Sequence, residues 1–467
     1  MKIFDVVNYG AVGDGKKDNA LEIQKAIDDC SNAGGGIVYF PGNSVFMTGP
    51  FDLKSNVNLF VEAGSTILAN PDESIYKKSA FKENLGEGTI WIGGENANNV
   101  TISGRGIIDG NGIAFMGPEE KAAYILKPFN IIDPRPHLLT IINIKNLLIR
   151  DVTFRNSAYW CLHIIGCDDV RIESVTILND LKIRNGDGID LDHSRNVRIS
   201  NCYIESGDDC ICFKTRREYE EHGPTENVIV DNCIMTSTSC SVKLGSENMD
   251  AIRNVIVSDC IIKSSNRGIG IQNRDEGVVE NIIFKNIFVE GRLFDDVWWG
   301  KAEPIYVTAY KRQASAHKDS NVRFAKGQTV GKVGKVSNIF FDNIKCNSEN
   351  GVFIGGEEDK VCGVKIENSS FKIEKKTKFV GGIYDLRPSD TVGLLKDEIS
   401  GIYIDTAKDV TISDCSVEWG KENPGYFNKV LHAKNVKNLS VSKIIGQSAK
   451  TNSEKTEYLN CENLSVE

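Results

Sequence analysis

The sequence predicts an all-β fold, a solenoid of stacked parallel coils, and a short recurring pattern is the main evidence. The pattern is Asn or Asp, an apolar residue, a variable one, Ile or Val, then a second apolar run, as in KNLLIRDVTF and RNVRISNCYI. From Asn146 to Asn281 the copies follow at steps of 23 to 31 residues, and turn-forming residues rather than helical periods separate their β-rich runs. Such a period predicts coils that stack on their neighbours. The recurring residues are Asn99, Asn146, Asp169, Asn196, Asn227, Asn254, Asn281, Asn338, Asp409 and Asn438.

The composition agrees with a large folded protein rich in turns. The 467 residues include 43 Gly but 11 Pro, and 40% are hydrophobic, which excludes a disordered chain. A net charge of −9 argues against a nucleic-acid partner, and no apolar run is long enough to cross a membrane. The start lacks a signal pattern, so we expect a cytoplasmic protein, or a secreted one if a signal has been removed.

The 13 cysteines form no CxxC pair, which argues against a zinc site and a disulfide framework. Four of them, Cys202, Cys233, Cys260 and Cys415, follow the recurring Asn or Asp by six residues. This shared register predicts a buried ladder of small side chains with a packing role.

We expect one domain over residues 1–467, with distinct ends. Residues 18–30 show a helical apolar spacing, within a predicted N-terminal cap region at 1–45. Residues 292–325 are predicted to be an inserted loop or an extra coil, and 447–467 a loose polar tail. The apolar positions of the helix are Ala20, Leu21, Ile23, Ala26 and Ile27.

Aligned coils predict columns of neighbouring side chains. The alignment uses the apolar residues Leu162, Ile189, Ile211, Val242 and Ile269. Two positions earlier stand Trp160, Asp187, Asp209, Cys240 and Arg267. One position later stand His163, Asp190, Cys212, Lys243 and Gly270, and three positions later Ile165, Asp192, Lys214, Gly245 and Gln272. Because adjacent strands lie about 4.8 Å apart, we expect Asp187 and Asp209 to be close, with Asp208 beside them.

Grouped carboxylates suit glycosidic bond hydrolysis, in which one carboxyl protonates the leaving oxygen and another activates water. The alternatives are that these aspartates mark turns or bind calcium. Trp160 is either a sugar-stacking platform or a core aromatic, and His163 is more typical of a structural histidine. The cations either pair with a sugar carboxylate or neutralise the aspartates. These cations are Lys214, Lys243, Arg267 and Arg274.

The segments NGDGID at 185–190 and SGDDCICFK at 206–214 resemble the glycoside hydrolase family 28, the polygalacturonase group. FDVVNYGAVGDGKKDN, GGGIVYFPGN and SGRGIIDGNG also resemble this and other pectin-active β-helices. The resemblance covers about residues 3–290 and implies a right-handed parallel β-helix and hydrolysis with inversion. It implies Asp208 as the general acid and Asp187 and Asp209 as the residues that hold and activate water. It places Asn185 in the family's Asn-x-Asp motif.

Two motifs depart from the family. Ser239-Cys240-Ser241 stands where the family has Gly-His-Gly, and Gly270-Ile271-Gln272 stands where it has Arg-Ile-Lys. The second departure removes two cations that grip a galacturonate carboxylate in polygalacturonases. Lys243, Arg267 or Arg274 could replace them, or the substrate could carry a neutral sugar there.

We therefore expect a glycosidase that is inverting and exo-acting on α-linked galacturonic acid or a related sugar of pectic oligosaccharides. The substrate is the expected partner, without nucleic acid or membrane, and we expect no cofactor or metal. The alternatives are a glycosidase for a neutral or unusual sugar, a lyase or epimerase, and a carbohydrate-binding solenoid.

Overall fold

A computed structural model describes residues 2–81, 88–128, 134–313 and 331–467. The predicted right-handed parallel β-helix is confirmed: strands dominate, and nearly all pair in parallel with a strand of a neighbouring coil. The chain divides into two compact units. The N-terminal unit comprises Met1–Ile211 and Glu221–Cys233, and the C-terminal unit comprises Cys212–Glu220 and Ile234–Glu467. The expectation of one domain stays a prediction.

The N-terminal unit holds the α-helix α1, Ala20–Asn32, and most of its strands are three to seven residues long. Its 3-10 helices are Val6–Tyr9, Glu73–Ile75 and Gly112–Phe115. Its strands are β1 Ile3–Asp5, β2 Gly36–Phe40, β3 Ser44–Thr48, β4 Phe51–Leu53, β5 Val57–Val61, β6 Ser65–Ala69, β7 Thr89–Glu95, β8 Asn98–Gly104, β9 Ile107–Asp109, β10 Met116–Glu120, β11 Ile125–Pro128, β12 Pro136–Ile142, β13 Lys145–Arg150, β14 Thr153–Arg155, β15 Leu162–Ile165, β16 Asp168–Glu173, β17 Thr176–Leu178, β18 Ile189–Asp192, β19 Arg195–Ser200, β20 Tyr203–Ser206 and, after the strand β21 Ile211–Thr215, β22 Thr225–Asp231.

The C-terminal unit repeats the same construction after the 3-10 segment Arg217–His222. Its strands are β23 Ile234–Ser237, β24 Cys240–Asn248, β25 Ile252–Ser258, β26 Ile261–Ser265, β27 Arg267–Asn273, β28 Val279–Gly291, β29 Glu303–Ala309, β30 Val336–Ser348, β31 Val352–Gly356, β32 Val361–Glu367, β33 Ser370–Ile373, β34 Ile383–Asp385, β35 Leu394–Lys396, β36 Ile402–Ser413, β37 Ser416–Trp419, β38 Leu431–Ser442, β39 Thr456–Leu459 and β40 Glu462–Val466. Two hairpins, β10–β11 and β34–β35, are antiparallel.

Inward-facing apolar residues stack in register from coil to coil. Leu147 of β13 pairs with Val170 of β16, which pairs with Val197 of β19, and all three side chains are buried. In the C-terminal unit Ile282 of β28 pairs with Ile339 of β30 in the same way. The core of each unit therefore runs along its stacked coils, as the repeat predicts.

The recurring Asn or Asp has a structural reason. Asn146 and Asn338 have φ of 60° and 56°, and every other recurring position has a similar positive φ. Asn and Asp adopt this left-handed conformation more readily than other residues with a side chain. Their side chains also bond between coils: Asn146 Nδ2 donates to Asn99 Oδ1 at 2.9 Å, and Asn338 Nδ2 to Asn281 Oδ1 at 2.7 Å.

The predicted burial of the four cysteines Cys202, Cys233, Cys260 and Cys415 is confirmed. The four cysteines are 1–2% exposed, and each thiol donates to the carbonyl oxygen two residues before it. For Cys260 that acceptor is Ser258 O at 3.1 Å. All 13 cysteines are free thiols. The small, weakly polar thiol thus fills a tight turn position where the chain changes direction.

The ends and the insertion differ in part from expectation. Helix α1 buries Ile23, Ala26 and Ile27 as predicted, whereas Leu21 is 84% exposed. The expectation for Leu21 was wrong because the buried face continues along Ile23, Ile27 and Cys30, which leaves Leu21 on the solvent side. Residues 447–467, expected as a loose tail, include β39 and β40, which pair in parallel with β38 and extend the coil stack.

Within the predicted insertion 292–325, residues 303–309 form β29, which pairs in parallel with β27 and β31. This part is an ordinary coil strand, and residues 314–325 lie outside the described residues. No helix among the described residues has both the length and the apolar character to cross a membrane.

Candidate active site

Three aspartates converge in the N-terminal unit. Asp187 lies two residues before β18, and Asp208 and Asp209 lie between β20 and β21. One oxygen from each carboxylate lies within 4.8 Å of the others. The backbone N–H groups of Gly188 and Ile189 donate to the carbonyls of Asp209 and Cys210, at 2.8 and 2.9 Å, which sets the two turns side by side. The juxtaposition of the three aspartates is therefore as predicted.

Glycines allow the two turns to approach closely. A Cβ added to Gly207, just before Asp208, would lie 2.2 Å from the Ile183 carbonyl oxygen. One added to Gly188, just after Asp187, would lie 2.4 Å from the Cys210 carbonyl oxygen. Neither position can accept a side chain without moving the backbone, so the glycines of the two motifs serve the spacing of the carboxylates.

Exposure distinguishes the three carboxylates. Asp187 and Asp209 are 2% and 1% exposed, whereas Asp208 is half-buried. The backbone N–H of Asn185 donates to Asp208 Oδ2 at 3.2 Å. Asn185, the first residue of the Asn-x-Asp motif, therefore orients the Asp208 carboxylate through its main chain. Carboxyl groups brought together in this way are suited to giving up and taking up protons in a reaction.

The same three carboxylates are the group best placed to hold a cation among the described residues, since each offers one oxygen ligand. Oxygen ligands of this type suit calcium. The calcium alternative raised by the sequence therefore concerns the same atoms as the hydrolytic interpretation.

Arg135 is a site residue that the sequence did not reveal. Its guanidinium is buried and donates to the carbonyl oxygens of Arg184 at 2.7 Å and Ala158 at 3.0 Å, and to Asn185 Oδ1 at 3.4 Å. It also lies 4.8 Å from the centre of the Tyr159 ring. Arg135 thereby supports the turn that carries Asp187. It lies in no motif and far from the turn along the chain, so no sequence signal pointed to it.

Trp160 and His163 lie in an aromatic cluster of the N-terminal unit. Trp160 is 3% exposed and packs edge-on against Phe81 at 5.2 Å and against His163 at 4.8 Å. His163 is fully buried, and its Nε2 lies 3.2 Å from Asp192 Oδ2. Trp160 is therefore placed as a core aromatic residue, and His163 as a structural histidine. Their substrate-binding roles stay predictions.

The remaining candidates belong to the C-terminal unit. The predicted column register holds there: Val242 pairs with Ile269, Lys243 with Gly270 and Gly245 with Gln272. In the N-terminal unit the matching pairs are Leu162 with Ile189 and His163 with Asp190. The coil alignment therefore predicted correctly which residues pair between adjacent strands within each unit.

Lys214 lies in a buried charge cluster. Its Nζ is 3.4 Å from Glu247 Oε2, and Arg216 Nη1 is 3.7 Å from Glu247 Oε1. Burial alone would raise the pKa of Glu247, but Lys214, Arg216, Arg312 and Lys243 outweigh it and hold this pKa well below its usual range. Glu247 is therefore an ionised partner that holds Lys214 in place.

Arg267, Gln272 and Arg274 lie beneath the segment Asp385–Arg387. Arg267 Nη2 donates to Asp385 O at 3.1 Å, Arg274 Nη2 to Leu386 O at 3.2 Å, and Gln272 Nε2 to Arg387 O. All three side chains are at most 1% exposed. The nitrogens named here therefore bind protein atoms, and the substrate-binding roles of the three residues stay predictions.

Cys240, in place of the family histidine, is buried as a packing thiol. Its Sγ donates to Val242 O at 3.2 Å. A Cβ on Gly270 would lie 3.0 Å from this sulfur and from Arg267 Cδ. The Arg267 side chain thus occupies the space in front of Gly270, where the family motif has its arginine.

The fold and the two motif turns define a parallel β-helix protein with a carboxylate cluster, and comparison with known proteins names the family. Residues 41–295 match the profile of the glycosyl hydrolases family 28. This match covers more than half of the chain. The chain therefore belongs to that family.

Among curated relatives, a probable polygalacturonase of Vitis vinifera is 31% identical over 270 residues, covering 53% of this chain and 52% of the relative. An exopolygalacturonase of Cochliobolus carbonum is 31% identical over 243 residues, covering 50% and 49%. The chain spans about half the length of these relatives. The solved family 28 exopolygalacturonase of Yersinia enterocolitica has a TM-score of 0.70 at 17% identity, covering 99% of this chain and 78% of that one. At this identity the likeness concerns the fold.

Proposed function

We propose that the protein hydrolyses a glycosidic bond of pectic oligosaccharides, with Asp187, Asp208 and Asp209 as its catalytic residues. The observation that carries the proposal is the convergence of three carboxylate oxygens within 4.8 Å on adjoining turns. Membership of the glycosyl hydrolases family 28 and relatives named polygalacturonase and exopolygalacturonase support it.

The roles we assign are those that the family resemblance implies, and the greater exposure of Asp208 gives it access to the leaving oxygen. Asp208, the half-buried member, is the acid: its proton passes to the glycosidic oxygen as the bond from that oxygen to the anomeric carbon breaks. Asp187 and Asp209 hold a water molecule, whose oxygen bonds to the anomeric carbon while one of the two carboxylates takes its proton. One proton enters the leaving group and one returns to the cluster, so the step balances without a cofactor.

Inversion is the stereochemical outcome we propose, on the strength of the family resemblance. Inverting glycosidases commonly separate their two carboxyl groups by about 6.5–9.5 Å, and retaining ones by about 5–5.5 Å. One oxygen from each carboxylate lies within 4.8 Å of the others here, which is below both ranges, so the proposal of inversion rests on the resemblance and not on this distance. NMR of the first product tests this: the opposite anomeric configuration supports inversion, and the same configuration contradicts it.

Exo-action is the mode we propose, and relatives named exopolygalacturonase and exo-poly-alpha-D-galacturonosidase support it. The enzyme should therefore release monosaccharides from chain ends of polygalacturonate. A random ladder of oligosaccharides at early times would contradict exo-action. Within the C-terminal unit, segment Asp385–Arg387, here called the wall, covers β27. Arg387 binds the wall to the predicted insertion by donating to Asp296 O at 2.7 Å and Trp298 O at 2.9 Å.

A neutral sugar is the second candidate substrate, favoured by one observation. At the positions of the family's Arg and Lys, Gly270 has no side chain and the Gln272 amide donates to the Arg387 carbonyl. Neither residue offers a cation to a uronate. Faster release of neutral than of acidic sugars from matched oligosaccharides would select this candidate.

Product analysis tests hydrolysis itself. The wild type should convert oligogalacturonates into saturated sugars with new reducing ends. Unsaturated products that absorb in the ultraviolet would mean elimination by a lyase and would overturn the proposal.

A further inference from the structure

Two adjacent tryptophans in the C-terminal unit have different environments. Trp298 is 2% exposed, whereas Trp299 is half-exposed. The two tryptophans follow a tight turn. The N–H of Val297 donates to Asp295 Oδ1 at 3.1 Å, and the N–H of Trp298 donates to Asp295 O at 3.0 Å. One indole therefore anchors the segment while the other offers part of its surface to solvent.

The backbone around Trp299 is held on both sides. Asn266 Nδ2 donates to Trp299 O at 3.1 Å, and the N–H of Gly300 donates to Asp385 Oδ2 at 2.9 Å. Gly300 has a φ of 111°, and a Cβ there would lie 2.9 Å from Asn266 O. Because the backbone that carries the Trp299 indole is held before a ligand arrives, binding does not have to order it.

A cation lies against the Trp299 indole. Lys243 Nζ is 5.4 Å from the centre of the Trp299 ring, and the Lys243 side chain reaches it from β24. An ammonium at this distance is attracted by the ring electrons. An aromatic face next to a fixed ammonium matches an acidic sugar, which has an apolar C–H face and a carboxylate on the same ring.

We propose that Trp299 and Lys243 form a subsite for an acidic sugar residue of the substrate. The C–H face of the sugar packs on the indole of Trp299, and its carboxylate binds the ammonium of Lys243. This inference rests on the proposed function and deepens it. It assigns uronate recognition to a residue pair outside the position of the Arg-Ile-Lys motif, where Gly270 and Gln272 stand.

Calorimetric binding in the Asp208→Asn background tests the subsite without turnover. The probes are trigalacturonate and its methyl ester, which differ in the charge of the carboxyl groups. Trp299→Ala should weaken binding of both probes about tenfold, and Trp299→Phe should retain most of it. Lys243→Met should weaken binding of the acid about tenfold and leave binding of the ester unchanged.

Trp419→Ala is the matched control, since Trp419 is also half-exposed but bonds to Gln447 O at 2.8 Å outside this subsite. It should bind both probes like its parent. Unchanged binding by Trp299→Ala, equal losses of both probes with Lys243→Met, or no binding by the parent would each overturn the subsite. Binding with the expected pattern but without hydrolysis by the wild type would support the subsite and refute the proposed function. Hydrolysis by the wild type together with unchanged binding by Trp299→Ala would support the proposed function and refute the subsite.

Discussion

Arg267 and Glu303 form a buried two-point ion pair in the C-terminal unit. Arg267 Nε lies 3.1 Å from Glu303 Oε2, and its Nη2 lies 3.1 Å from Oε1. The guanidinium also stacks on Tyr306, with its carbon 3.7 Å from the ring centre. Burial alone would lower the pKa of Arg267, but the Glu303 carboxylate outweighs it and raises this pKa above its ordinary value. A residue held in this way supports the fold.

Arg267→Ala should therefore destabilise the protein by about 3–5 kcal/mol, because it leaves the Glu303 carboxylate buried without its cation. The double variant Arg267→Met/Glu303→Leu should recover much of this loss. Urea unfolding of the wild type and the two variants measures the effect. Normal stability of Arg267→Ala together with a raised KM for acidic substrates would instead identify Arg267 as a substrate ligand.

Glu247 should make stability depend on pH in the acid range. Its pKa in the folded protein lies below the ordinary value of about 4.3 expected in the unfolded chain. The resulting stabilisation is complete above the unfolded value and is lost as the pH falls towards the folded value. The stability difference between wild type and Glu247→Gln should therefore shrink from pH 6 to pH 3.

Glu454→Gln is the control for the substitution itself, since Glu454 is exposed. Its free energy of unfolding at pH 6 should equal that of the wild type. A constant difference between wild type and Glu247→Gln over the same range would contradict the assignment of an ionised Glu247.

Asn338 should contribute to stability through both its backbone and its side chain. Asn338→Ala loses the bond to Asn281 and places alanine at a φ of 56°, which should cost about 1–2 kcal/mol. Asn338→Gly loses the same bond but tolerates the backbone, so it should cost less. Thermal unfolding of the two variants compares them. Equal losses would mean that the left-handed conformation does not explain the recurring Asn.

Arg387 should hold the wall over β27. It contacts both carboxylate oxygens of Asp385 and the carbonyls of Asp296 and Trp298. Arg387→Ala should speed hydrogen exchange in residues 295–300 and 385–387, whereas exchange in β13 and β16 should be unchanged. Unaltered exchange in both segments would show that other contacts hold the wall.

Local repetition explains how much of the fold was predictable. The recurring Asn or Asp and the cysteines six residues later reflect a backbone conformation and a tight turn within each coil, so they are visible in sequence. Asp187 and Asp209 were predictable as neighbours because the coil alignment converts sequence position into lateral distance.

Contacts between distant segments left no such signal. The Gln272 amide meets the Arg387 carbonyl across 115 residues of sequence, so its burial could not be read from the motif around it. Arg135 supports the Asp187 turn from a segment with no repeat. Leu21 fits a helical apolar spacing, but the packing of α1 decides which apolar residues face the core.

The rate of Asp208→Asn tests the central claim most directly. The control is Asp151→Asn, since Asp151 is a half-exposed aspartate paired with Arg150. Reducing ends released from oligogalacturonates are measured with both variants and the wild type. The proposed acid predicts that kcat of Asp208→Asn falls by about 10²–10⁴-fold while Asp151→Asn keeps the wild-type value. A kcat of Asp208→Asn within a few-fold of the wild type would contradict the assignment of the three aspartates as a hydrolytic site.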